Sequence, residues 1–572
     1  MYLINFSQKQ SAVILTFLKQ QTNMLRSQFI HKISALTVLC LGAITGHSET
    51  VLIDNIQGYS HNGEQLIRFN QLAFDTNTGR ILAKTDINTI DRKIDGQNQV
   101  LISGLHDAHG HVLEYGLSQT QVQLQGLEDF NQVLKTIKQD LNNHHSNDWL
   151  LGRGWNQALW PEKDFPTRQD LDELTINQPP IWLTRIDGHA GWANSAALKA
   201  AGITREIAQD NDLILKDNQG EPTGVLIDNA MDLVNRHIPS PGQETLQQAL
   251  KKAFEDLAAV GLTYVHDAGI TAANHALYQQ LAETGQMPIR VYAMLASQIP
   301  EFEDLLKQGM VNIANRYQLR SVKMMVDGAL GSYGALLHEP YSDKPETHGA
   351  YVQDLDTLAA KLKPTVAAGF QAAIHAIGDR GNTEVLNLLA QPKAFSQQLR
   401  HRIEHAQIMR PSDIERLADN HIIASMQPTH ATSDKNMAED RIGPERMAGA
   451  YAWHTALDSN VHLAFGSDFP VELINPFYGL HAAVTRQDRS NQPKGGWYKN
   501  EALSIEQAFK AFTIGAAYAA HDEHNNGSLE PGKYADFIII DQNIFTIDPK
   551  DIWKTRVLET WVNGERIFQH NK

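Results

Sequence analysis

The chain has 572 residues, 42% hydrophobic and 20% charged, with 25 histidines and one cysteine. That balance belongs to a folded globular protein and excludes disordered, collagenous and coiled-coil chains, while one cysteine excludes an intrachain disulfide framework and a cysteine-based zinc cluster. A formal charge of −16 leaves no basic footprint for nucleic acid, and any metal site must be built from nitrogen and oxygen ligands.

From Met24 the sequence reads MLRSQFIHK, then an apolar run from Ile33 to Gly46, then His47-Ser48-Glu49. A basic start, a short apolar run and the small residues Gly46 and Ser48 predict a secretory signal over residues 24–48. Residues 1–23 precede it, and an upstream start codon would account for them. The run is shorter than the ~20 residues of a membrane-spanning helix, so no stable span is expected after cleavage. The expected product is an exported, periplasmic protein without Cys40, the one cysteine.

Beyond the signal, β-type runs appear at Val51–Ile56, Gln65–Asn70, Arg80–Ala83 and Val100–Ile102, and again at Phe537–Asp541 and Val557–Val562. Residues 49–102 and 525–572 are therefore expected to form one composite β-sandwich from both ends. Between them, apolar strands alternate with helix-patterned segments. The strands are Ile102–His106, Thr263–Asp267, Arg290–Leu295, Val322–Val326, Ala372–His375, Arg402–His405, Ile422–Met426 and His462–Gly466. Eight such units predict an α/β protein with a (β/α)8 TIM-like barrel over residues 103–524. The interval from about 116 to 260 is too long for one βα unit and reads as a large insertion with its own structure.

Polar residues stand where these strands give way to loops. His109 and His111 in GLHDAHGH are two apart, so they share one strand face. His375 ends the strand of QAAIHAIGDR, His405 that of RIEHAQ, and Asp468 follows LAFGSDFP. At the carboxyl ends of barrel strands they aim at the face where barrel enzymes do chemistry. Lys323 lies in the apolar run VKMMVDG; it either pairs with a carboxylate such as Asp327, or loses its proton through burial and adds carbon dioxide as a metal-bridging carbamate.

In this order the residues resemble the metal-dependent amidohydrolase superfamily, specifically the amidohydrolase family 3 group that includes N-substituted formamide deformylase-like periplasmic hydrolases. The resemblance rests on GLHDAHGH, GRGWNQ, WLTRIDGHAGWANSAAL, PTGVL, GLTYVHDAG, VKMMVDGALGS, IHAIGD, RIEHAQ, MQPTH, GSDFPVE and GSLEPGKYADF, which span nearly all of the chain past the signal. It implies a divalent metal, with zinc expected, as one or two ions held by His109, His111, Lys323, His375, His405 and Asp468, with Lys323 as the carboxylated lysine. Ser103, where the family often has Pro, and His106, where an aliphatic residue is common, depart from the pattern. His106 lies on the opposite strand face and is given a packing role.

The implied reaction is hydrolysis of a non-peptide carbon–nitrogen bond in an amide, formamide or cyclic amide, with Asp468 as general base and then acid. A deaminase or ester hydrolase on the same site is the alternative, and a non-catalytic binding or regulatory homologue lies outside enzymes altogether. A peptidase is disfavoured because no HExxH helix is present. The partner is a small-molecule substrate, and a homodimer is left open. Substrate contacts are expected from His189, Trp155, Gln427 and His430; Trp155, Trp160 and Trp192 either form an aromatic wall or, as tryptophans in an insertion of this size more often do, fill its core. Arg402 and Glu404, two apart on the sixth strand, are expected to support His405.

Overall fold

Near-continuous apolar runs, as in a sheet buried on both faces, build the centre of the fold. In a computed structural model, which describes residues 49–143, 148–174, 179–391 and 397–570, eight parallel strands form a nearly closed barrel. In chain order they are Leu105–Gly110, Leu262–Ile270, Arg290–Ala296, Tyr317–Met325, Gln371–Ala376, Arg402–His405, Ile423–Met426 and Leu463–Phe465, each paired with its successor. A short strand, Val311–Ile313, adds antiparallel to the fourth. The predicted signal peptide lies outside the described residues.

The first and eighth strands are stitched by the segment that follows the eighth. Gly110 bridges Phe469, the Asp468 N–H donates to the His109 carbonyl at 2.7 Å, and the His111 N–H to the Phe469 carbonyl at 2.8 Å. Below them Asp107 accepts the Ser467 N–H and hydroxyl, the latter at 2.6 Å. Gly466 is required here, because a Cβ would sit 2.5 Å from both Asp107 Oδ1 and the His109 nitrogen.

The helices cover the barrel with one apolar face each. Gln243–Ala259 buries Leu250, Phe254 and Leu257, spaced by four and three as a helical stripe requires. Ile505–Ala511 starts on a reciprocal cap between Ser504 and Gln507. Among the described residues no helix is long and apolar enough to cross a membrane.

Both chain ends contribute to one six-stranded sheet. Phe537–Ile540 runs antiparallel to Val100–Ser103, with Ile538 opposite Ile102, and Val557–Val562 continues outward. A four-stranded sheet from Thr50–Asp54, Leu72–Asp75, Arg80–Ile81 and Arg92–Asp95 shares a core with it, including Val51, Ile53, Phe74, Leu101, Phe537 and Trp561. Arg290, on the third barrel strand, fastens the barrel to these sheets. Its guanidinium donates to Asp536 at 2.7 and 3.1 Å and to Asn563 Oδ1 at 2.6 Å.

Between the first and second barrel strands lies a further six-stranded sheet, ordered Ile214–Lys216, Pro222–Ile227, Ala190–Ala193, Ile181–Arg185, Leu150–Trp155 and Val122–Gln123. It has its own core, and the tryptophans are part of it. Trp155 is fully buried, donates from Nε1 to the Leu183 carbonyl at 2.8 Å, and packs edge-on against Trp192. Of the two readings of Trp155, Trp160 and Trp192, the core one holds: all three fill the interior of the insertion, and the expected substrate contact by Trp155 is corrected.

Candidate active site

The carboxyl ends of the barrel strands open into a cleft of about 1000 Å³ lined by His109, His111, Lys323, His375, His405 and Asp468, together with insertion residues. Strand alternation brings His109 and His111 to the same side, and the stitched loop lays Asp468 across them. Asp468 Oδ1 is 3.1 Å from His111 Nε2 and 3.5 Å from His109 Nε2. Its other oxygen is 3.7 Å from His430 Nε2. The His375 and His405 rings meet edge to face at 4.5 Å, and His405 lies 4.9 Å from His109. The six residues singled out in the sequence thus share one site.

Three residues at the site have left-handed backbone. His405, Ala406 and Asp468 have φ of 73°, 43° and 61°, a region that side-chain-bearing residues adopt at a cost and that clusters at functional sites.

The arrangement suits a metal ion. His109, His111 and Asp468 can each place one donor atom within 4.8 Å of the others, and so can His405, His430 and Asp468. The Nε2 atoms of His375 and His430 are buried with no hydrogen-bond partner among the described residues. Buried polar atoms are normally paired, so these nitrogens are candidate ligand atoms. Imidazole and carboxylate donors match zinc and related divalent ions.

Two acceptors fix which ring nitrogen faces the cleft. His109 Nδ1 lies 2.5 Å from Glu404 Oε2, and His405 Nδ1 lies 2.8 Å from Gln427 Oε1. A carboxylate or amide oxygen can only accept, so the N–H is assigned to Nδ1 in both rings, leaving Nε2 lone pairs toward the site. Glu404 is in turn gripped by Arg402, which also donates to the Ala108 carbonyl, Ser425 Oγ and His266 Nδ1. The expected support of His405 by Arg402 and Glu404 is corrected accordingly. Successive strand residues face opposite ways, so Glu404 points into the barrel with Arg402 and meets His109, and Gln427 takes the place beside His405.

Electrostatics follow from burial. Burial pushes the Asp468 carboxyl up, but His109, His111 and His405 outweigh it and hold the group well below the usual carboxylate range. Burial draws His109 down to about 4, with Lys323 adding to the effect. It takes His375 and His405 well below their ordinary value, with neighbouring histidines adding to the effect. The rings are neutral and able to donate lone pairs at neutral pH. Lys323 Nζ lies 3.0 Å from His109 Nε2, and burial lowers it to about 8 against the opposing pull of Glu404 and Asp468. The Asp327 carboxylate is occupied elsewhere, by the backbone N–H groups of Leu336, Ile377 and Gly378 at 2.8, 3.0 and 2.8 Å. An Asp327 ion pair is therefore not what keeps Lys323 in place.

His189 and His430 both line the cleft. Gln427 is buried behind His405. His266 and Asp267 lie within the second strand, where His266 Nδ1 accepts from Arg402 and Asp267 accepts the Val112 N–H at 3.0 Å and the Tyr278 hydroxyl at 2.6 Å. Sequence reasoning missed Asp228, which bonds His189. The signal was present: PTGVLID ends an apolar strand on a carboxylate, the same pattern that marked Asp468.

The chain is similar to known proteins over most of its length. A model of the amidohydrolase family matches residues 92–568. The putative amidohydrolase YtcJ of Bacillus subtilis (strain 168) is 34% identical over 479 residues, 82% of this chain and 89% of that protein. The N-substituted formamide deformylase of Arthrobacter pascens is 27% identical over 503 residues, 82% of this chain and 89% of that one. The solved structure of an uncharacterized metal-dependent hydrolase from Pyrococcus horikoshii OT3 superposes with a TM-score of 0.71 at 25% identity, over 88% of this chain and 99% of the other.

Proposed function

The chain belongs to the amidohydrolase family, and from that premise we propose that it hydrolyses a non-peptide carbon–nitrogen bond in an amide, formamide or cyclic amide. The observation that supports this most is an ionised Asp468 on one cleft with His109, His111, His375 and His405, where Nε2 of His375 and of His430 is buried with no hydrogen-bond partner among the described residues. His109, His111, His375, His405 and Asp468 would hold a divalent metal, zinc by donor type, as one or two ions. Lys323 would join them as a carbamate: its amine, lowered to about 8, adds carbon dioxide and releases a proton. When bound, such an ion makes water nucleophilic near neutral pH and polarises a carbonyl oxygen.

The chain's own residues supply the rest. Asp468 takes the proton from the water that attacks the carbonyl carbon. It returns that proton to the nitrogen as the carbon–nitrogen bond breaks, acting as base and then acid. Glu404 and Gln427 keep His109 and His405 in the orientation the site needs. The two end sheets, with their shared core, serve as the composite β-sandwich beneath the barrel, and residues 24–48 serve as an export signal to the periplasm. An amino terminus beginning at Glu49 on protein from a periplasmic extract would support export, and an intact Met24 would contradict it.

The relative from Arthrobacter pascens, an N-substituted formamide deformylase, makes N-substituted formamides the first substrates to test. Purified metal-loaded protein should turn over formamides or other amides and lose that activity on chelation. Turnover of esters or amidines alone would move the reading to an ester hydrolase or a deaminase. Binding without turnover across all of them would make it a non-catalytic homologue.

A further inference from the structure

One buried pair near the site belongs to none of these roles. His189 and Asp228 both come from the insertion, 39 positions apart. Strand register explains their meeting. Ala190–Ala193 runs antiparallel to Pro222–Ile227 with Ala190 opposite Ile227, so one step beyond the ladder His189 faces Asp228. The Asp228 N–H donates to the His189 carbonyl at 3.0 Å, and His189 Nδ1 lies 2.6 Å from Asp228 Oδ1.

The pair is built at some cost. Asp228 has a φ of 44°. Its side chain is 2% exposed, and Oδ2 has no hydrogen-bond partner among the described residues. Room for that oxygen comes from the loop after the fourth barrel strand, where a Cβ on Gly328 or Gly334 would stand 2.5 Å from it. A carboxylate buried this way needs a countercharge, and the ring of His189 is the group in contact with it. With Nδ1–H given to Asp228, the opposite edge of the ring lies on the cleft, 5.3 Å from the His375 ring. Asp468 stands instead beside His109, His111 and His430.

We propose that the His189–Asp228 pair is an insertion-borne hydrogen-bond donor to the oxygen of the scissile group, with His189 as the contacting residue and Asp228 as its positioning residue. The proposal rests on the hydrolytic reading of the site and extends it. The carbonyl oxygen gains negative charge as the carbon becomes tetrahedral, and an Nε2–H aimed at that oxygen strengthens as the charge grows. Asp228 accepts from Nδ1–H, fixes the orientation of the ring and, as a buried carboxylate, stabilises the imidazolium that also carries Nε2–H, as the carboxylate does in other His–carboxylate pairs. No bond of the ring is made or broken.

The test compares binding of methylphosphonate, a tetrahedral oxyanion, by calorimetry to metal-loaded wild-type protein and to His189→Ala, Asp228→Asn and His189→Gln, with metal content and melting temperature measured on each. His189→Ala should weaken binding about 10–100-fold, the scale of a charge-assisted hydrogen bond, at unchanged metal content, and Asp228→Asn should weaken it less. His189→Gln, which keeps an N–H donor, should recover most of the loss. Turnover of the best amide should fall about 10²–10³-fold in His189→Ala, chiefly in kcat. Equal affinity for methylphosphonate in all four proteins overturns the proposal. So does an equal loss in His189→Ala and His189→Gln with a lowered melting temperature, which marks a structural role. If the wild-type protein hydrolyses no amide, the functional reading fails by that result alone, and the binding comparison still decides the pair.

Discussion

Glu404 Oε2 sits 2.5 Å from His109 Nδ1, and Arg402 holds the carboxylate from behind. Burial alone would raise the Glu404 carboxyl, but Arg402 and His109 outweigh it and keep the group ionised. His109 on the first strand is thus anchored from the sixth strand, across the barrel interior. Truncating such an outer partner typically costs 10–100-fold in metal affinity. Glu404→Gln should fall near the lower end, because an amide oxygen still accepts from Nδ1–H, and Glu404→Ala near the upper end, because it also leaves Arg402 buried and unpaired. Gln427→Ala should loosen His405 in the same way. Competition with a chromophoric chelator measures all three, and unchanged affinity in Glu404→Ala would show that His109 needs no anchor.

Lys323 makes a separate prediction. If it serves as a carbamate, Lys323→Ala should lose metal relative to wild type, and a short-chain carboxylic acid should restore part of it by standing in for the missing oxygens. Elemental analysis with and without added acid reads this directly. A metal content untouched by the substitution would leave the amine, 3.0 Å from His109 Nε2, as a neighbour and not a ligand.

The Arg290–Asp536 pair predicts a stability effect far from the cleft. Both side chains are almost fully buried, at 1% and 5% exposure. Burial raises the Asp536 carboxyl, but Arg290 outweighs it and holds the group below its ordinary value. Asp536→Asn leaves the guanidinium without its countercharge and should cost about 3–5 kcal/mol at neutral pH. Because the folded-state value is lowered, the wild-type advantage is complete above the unfolded carboxylate pKa of about 3.9. It is lost as pH falls through the lower folded value. Chemical denaturation of both proteins at pH 7 and at pH 3.5 would show the gap narrowing in acid; a constant gap would mean that the pair's charge contributes nothing.

Much of the barrel was legible in the sequence. Its strands are short and mostly apolar, and burial on both faces writes that pattern plainly in Gln371–Ala376, with His375 near its end. His375 and Asp468 were legible for the same reason, since each stands at or just past the end of such a run, and Lys323 because it interrupts one. What was not legible is what depends on register and on distance across the fold. Glu404 adjoins His405 in sequence, but strand alternation turns it toward His109, 295 positions away. Asp228 meets His189 only because two insertion strands pair antiparallel with Ala190 opposite Ile227. Trp155 was open between substrate wall and core because an aromatic in an insertion has no periodic signature; its burial follows from the separate core that the insertion builds.

Asp468 is the residue on which the functional reading turns. Asp468→Asn keeps the size of the side chain and an oxygen near His111 and His430, but cannot accept the proton of the attacking water. The most direct test is metal content and kcat of wild-type and Asp468→Asn protein on the best N-substituted formamide or amide substrate. The expected result is near wild-type metal content with kcat lower by about 10²–10⁴-fold, the range for a positioned general base. Full turnover by Asp468→Asn at the same metal content would contradict the assignment of the base, and with it the hydrolytic mechanism proposed for this site.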